Sequence, residues 1–131
     1  MAEVFLYNIR DREKLNKIRF VLFKLGLSCR EIAPEDFAQP IGYLAGLPGF
    51  APSDETPEPF EGEMLVILDL DSARFSALLN GLRQSRVPVA LKAVVTEHNV
   101  HWSSSRLFRE LSAEHEAMKR AGAKSVHQKK K

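Results

Sequence analysis

One order of signals occurs twice in this chain, and it constrains the fold more than any other feature. An apolar run of strand length leads to an Asp at a helix N-cap position, then to a helical apolar stripe, a turn and a second strand. In the first copy, residues 3–9 (EVFLYNI) form the strand and Asp11 the cap; Leu15, Ile18, Leu22 and Leu25 make the stripe, and Gly26 ends the helix. Residues 27–32 (LSCREI) then read as a more polar strand at a sheet edge. In the second copy, residues 64–70 (MLVILDL) form the most apolar strand of the chain. Asp71 or Ser72 caps a helix with Phe75, Leu78, Leu79 and Leu82 on one stripe, and residues 84–88 turn into a strand over 89–95. A helix between two strands buries its stripe on the sheet they form, so two βαβ units are expected.

Strands one and three are the most apolar and belong at the sheet centre. Two arrangements satisfy this. The preferred one is an α+β fold, a ferredoxin-like four-stranded sandwich with the units antiparallel and the order 4-1-3-2. The alternative is a small parallel α/β sheet of order 2-1-3-4 with helices on both faces. The alternative would require residues 33–62 to act as a crossover, a poor use of a segment holding Pro34, Pro40, Pro48, Pro52, Pro57 and Pro59. That segment is expected to be a long Pro-rich acidic loop, with a short helical turn over 41–45. A last helix begins at one of residues 103–105 and buries Leu107, Phe108, Leu111 and Met118. One domain is expected over 1–120, followed by a disordered basic tail over 121–131.

The net charge of +2 conceals a segregation. Residues 31–73 carry ten Asp and Glu and no Lys or Arg, between flanks in which basic residues dominate. Internal pairing of these segments is the expected use of that pattern. A single cysteine, Cys29, excludes an intramolecular disulfide. The N-terminal apolar run is too short for a signal peptide, and no run reaches the roughly 18 apolar residues of a membrane span. The chain reads as cytoplasmic, with no membrane partner.

No phosphate-loop, nucleophile-elbow or zincin motif occurs, and no cofactor is called for. Lys92 interrupts an apolar strand, as an edge lysine guarding against aggregation or as a buried amine with a lowered pKa. His98 and His101 form an HxxH pair too sparse for a structural zinc site, and no metal is expected. His115 lies on the last helix's apolar stripe. Gln39, Pro40 and Gly42 open the short turn. The basic tail lacks the exposed sheet aromatics of a nucleic-acid reader, so no nucleic-acid partner is expected.

Three segments, EDFAQPIGYLAGLPGF, EMLVILDL and LKAVVTEHNVHWSSSRLFRELSAEHEAM, resemble the bacterial domain-of-unknown-function family 3783 over about residues 3–118. The resemblance implies a bacterial cytoplasmic protein and no assigned activity. It points to Gln39, Pro40, Gly42, Leu44 and Ala45, to Lys92, Thr96, Asn99 and Trp102, and to Glu110, Glu114 and His115. A ligand site is expected where Lys92, Thr96, Asn99 and Trp102 meet the 39–42 turn, with Glu110 and His115 as further candidates. The function expected is a non-catalytic domain binding a small ligand or a protein partner, with a homodimer compatible. The alternatives are an enzyme using a Lys–His–Glu cluster and a nucleic-acid accessory protein.

Overall fold

A computed structural model describes residues 2–129, with side chains to residue 121. The elements are β1 (Glu3–Tyr7), α1 (Arg12–Lys24), β2 (Ser28–Glu31), a 3-10 turn (Pro34–Asp36), α2 (Ile41–Leu44), β3 (Met64–Leu68), α3 (Ser72–Gln84), β4 (Leu91–Val94), a second 3-10 turn (Asn99–His101) and α4 (Ser104–Lys129). Asp11 accepts hydrogen bonds from the Glu13 and Lys14 amides, and Asp71 from the Arg74 amide. Each carboxylate satisfies donors that a helix start leaves orphaned. The Arg74 amide is the main reason that the Asp71 carboxyl is held below its ordinary pKa.

The sheet order is β2-β1-β3-β4. β1 and β2 pair in parallel, as do β3 and β4, while β1 and β3 pair antiparallel. The preferred ferredoxin-like order 4-1-3-2 is therefore not formed, and the order is that of the alternative. The sheet is mixed rather than all parallel, because the units meet head to tail along β1 and β3. Each unit keeps its own two strands side by side instead of interleaving them with the other's. The long segment between the units crosses one face of the sheet and serves as a cover.

The units are related residue by residue. α1 and α3 both have 13 residues, and position n of the first helix corresponds to n+60 of the second. Both helices end in the same hydrogen-bonded motif: Leu27 N–H reaches the Leu22 carbonyl as Val87 N–H reaches Leu82, and Gly26 and Arg86 follow at φ +71 and +58. Before the helices, Asn8 and Asp69 both adopt positive φ, so the offset across the strands is 61. Phe5 pairs with Val66, its own equivalent. A pseudo-two-fold axis thus passes through the middle of the sheet, normal to it.

Alternation divides the core. Val4, Leu6, Leu65 and Ile67 face α1 and α3, where Ile18, Val21, Leu22, Leu78 and Leu82 close the layer. Phe5, Tyr7, Met64 and Val66 face the other way, under Phe37, Ile41 and Leu107. Phe60 lies between Phe37 and Phe108 with centroids 4.3 and 4.2 Å away, so the Pro-rich segment is anchored on an aromatic stack. The acidic segment is neutralised from both flanks. Glu31 pairs with Arg19 at 2.6 Å, Glu58 with Arg109 at 3.0 Å and Glu61 with Arg10 at 3.1 Å, and Glu63 pairs with Lys14. Exposed pairs like the first three contribute about 0–1 kcal/mol each, so they position the loop more than they stabilise it.

α4 continues to Lys129, past residue 120 where the sequence placed the start of a disordered tail. Alanine, lysine and glutamine propagate a helix already nucleated on the sheet. Lys130 and Lys131 of that tail lie outside the described residues. Among the described residues, no helix is long and apolar enough to cross a membrane.

Candidate functional site

Most of the sequence-derived candidates meet in a clasp over the loop-covered face. The Ile41 amide donates to the Trp102 carbonyl at 2.8 Å, and Pro40 bridges Ser103. Gln39 uses its whole amide on Ser53, donating Nε2 to the carbonyl at 2.9 Å and accepting from the N–H at 2.7 Å. Gly42 lies against the Phe50 ring, where a Cβ would come within 2.5 Å of its carbons. Asn99 accepts from the Thr96 amide at 2.8 Å and donates to the Val94 carbonyl at 3.1 Å, closing the turn after β4. The Arg106 guanidinium covers Trp102, 4.4 Å from the ring centroid. The hydrogen-bonding side chains of Gln39, Thr96 and Asn99 are thus engaged within the chain.

Lys92 is not with them. Leu91 and Ala93 belong to the covered face, so Lys92, between them, projects to the α3 face. Glu110 is exposed on α4, as is Glu114, and His115 is half-buried in a groove with Gly62, Glu63 and Leu91. His98 and His101 pack against the rings of Trp102 and Phe50, and among the described residues no three His, Cys, Asp or Glu side chains converge as a metal site requires.

Two clefts lie on the helical face. The larger, about 780 Å³, opens at the carboxyl ends of β1 and β2 and is lined by Asn8, Arg10, Arg12, Asn16, Arg19 and Glu31 among others. Arg19 is paired with Glu31 inside it and Arg10 with Glu61 beside it. Most of its positive charge is therefore already compensated.

The second cleft, about 400 Å³, lies between the end of α3 and β4 and holds Lys92. Arg83 and Arg86 line it as well, with Leu79, Leu82, Val87, Pro88 and Val89, and no carboxylate is among its lining residues. Lys92 Nζ donates to the Val89 carbonyl, and burial lowers the pKa of the amine from its ordinary value. The internal repeat shows what the fold itself needs here. By the offset of 60, Arg83 and Arg86 stand where the first unit has Phe23 and Gly26. Val4 and Leu65 are equivalent and pair with Cys29 and Lys92, so Lys92 stands where the first unit has Cys29. Three positions served in one unit by an aromatic, a glycine and a thiol carry three cations in the other. Sequence reasoning singled out Lys92 but missed Arg83 and Arg86, whose signal was the offset alignment of the two units.

No curated protein and no solved structure matches the chain. Residues 63–118, which contain this cleft, match the family model Domain of unknown function (DUF3783), a shorter span than the resemblance drawn from the sequence, so this part of the chain is similar to that family.

Proposed function

We propose that the domain is a binding module that takes an anionic small molecule in the cleft between α3 and β4, held by Arg83, Arg86 and Lys92. The observation that carries this reading is the three cations lining one cleft without a carboxylate. Like charges in one cleft repel, so they disfavour the free fold and become favourable when an anion fills the space between them. Arg86 adds a backbone argument. It holds a left-handed conformation that its equivalent, Gly26, adopts without steric cost. An arginine kept at such a position stores strain, and strain of this kind gathers at sites where the side chain is used. Arginine forks and an ammonium suit phosphate and carboxylate groups.

The test is titration of the full chain with inorganic phosphate, pyrophosphate and acetate, followed by melting temperature and calorimetry. At least one anion is expected to raise the melting temperature at low ionic strength, and the variant Arg83→Gln/Arg86→Gln/Lys92→Met is expected to lose the rise. No rise in the wild-type chain, or an equal rise in the variant, overturns the reading.

A further inference from the structure

The cleft of Arg83, Arg86 and Lys92 has a second wall, and it is apolar. Its volume of about 400 Å³ lies within the range of sites for organic ligands, several hundred cubic ångströms, and exceeds what a lone oxyanion fills. Leu79 and Pro88 line it together with the cations, and Val87 and Val89, which also line it, are buried. The internal repeat again separates fold from site. Leu79 stands where the first unit has Arg19, and Pro88 belongs to residues 88–90, which the first unit lacks, since Leu27 corresponds to Val87 and Ser28 to Leu91. The second unit therefore carries cations where the first has apolar or small groups, and at Leu79 an apolar group where the first has a cation. Both exchanges fall on the same cleft.

We propose that the ligand is a small molecule with a single phosphate or carboxylate on an apolar body, its charged end between Arg83, Arg86 and Lys92 and its body against Leu79 and Pro88. This rests on the anion-binding reading above and adds the chemical class of what is bound. Water against Leu79 and Pro88 gains little from polar contact, so displacing it with a hydrocarbon surface is favourable. A bare anion leaves that water in place. A polyhydroxylated phosphate replaces it with groups that find no partner on this wall and lose their own hydration.

The experiment compares inorganic phosphate, glycerol phosphate and phenyl phosphate by calorimetry on the full chain. Phenyl phosphate is expected to bind about tenfold more tightly than either of the others, the gain from burying part of one aromatic ring. Leu79→Asn and, separately, Pro88→Ser are expected to reduce that preference to threefold or less, with far-ultraviolet circular dichroism confirming the fold of each. Vesicles of phosphatidylglycerol test the other source of the same chemistry. Cosedimentation that competes with phenyl phosphate assigns the anion to a lipid head group, and its absence assigns it to a free molecule. Equal affinity for the three phosphates overturns the apolar-body proposal and leaves the anion site standing. Failure of all three to bind overturns both.

Discussion

Val21 and Gly81 hold the same place in the two βαβ units and touch each other, so closely that a Cβ on Gly81 would lie 2.7 Å from Cγ1 of Val21. Equivalent residues meet in this way only on a symmetry axis. Phe5 and Val66, also equivalents, are partners in the sheet beneath. One axis therefore runs through the helix layer and the sheet. The two helices approach closely because one of the two residues on the axis has no side chain.

Gly81→Val should consequently cost about 1–3 kcal/mol, through overpacking against a β-branched neighbour that cannot rotate away. The exchange Val21→Gly/Gly81→Val should recover most of that loss, since it moves one side chain across the axis. Urea unfolding of the three variants checks this, and additive costs in the double variant would contradict the axis.

Arg86 and Gly26 are a second pair of equivalents, and here the residues conflict with the shared conformation in only one unit. Arg86→Gly should raise stability by roughly 0.5–1 kcal/mol, the left-handed penalty less the extra freedom of an unfolded glycine. The same substitution should weaken anion binding. A stabilised protein with undiminished affinity would show that the strain has no use in the cleft.

Lys92 makes stability depend on alkaline pH with a definite sign. Burial lowers its folded pKa below the unfolded value of 10.5, so the unfolded chain binds more protons between the two values. The contribution of this residue to stability therefore increases as pH rises through that window. Lys92→Met lacks the effect. The wild-type chain should gain on the variant as pH approaches 10.5 in paired urea titrations, and a constant difference would argue against the desolvated amine.

The clasp gives a contrasting outcome. Asn99→Ala removes two hydrogen bonds that close the turn after β4 and should destabilise by about 1 kcal/mol. Anion affinity should remain as in the wild type, because the turn and the cleft lie at different parts of β4. A lost melting-temperature rise with unchanged stability would return the ligand to the face that the sequence pointed to.

Under the loop-covered face, Tyr7 and Ser104 share a buried hydroxyl pair at 2.7 Å, and burial pushes the Tyr7 phenol well up from its ordinary pKa. Tyr7→Phe should cost about 1–3 kcal/mol by leaving the Ser104 hydroxyl without that partner. Tyr7→Phe/Ser104→Ala should recover part of the loss, and chemical denaturation of both measures it.

Local chemistry made much of this protein legible in the sequence. Asp11 and Asp71 announced two helices, the runs EVFLY and MLVIL announced two central strands, and Pro40 announced the short turn of α2, because caps, periodicity and proline geometry act over a few residues. The ten acidic residues of 31–73 likewise announced pairing with the flanks, of which Arg10–Glu61 and Arg109–Glu58 are instances. The strand order could not be read the same way. Orders 4-1-3-2 and 2-1-3-4 both place β1 and β3 inside and β2 and β4 at the edges, so the burial patterns they demand are the same. Only the long-range strand pairing separates them: β2 lies parallel beside β1 and β4 parallel beside β3, with β1 and β3 antiparallel at the centre. The site followed the same division. Lys92 was visible as a charge in an apolar strand, but the pleat alone decided which face it joined, and the turn after α3 brought Arg83 and Arg86 to it.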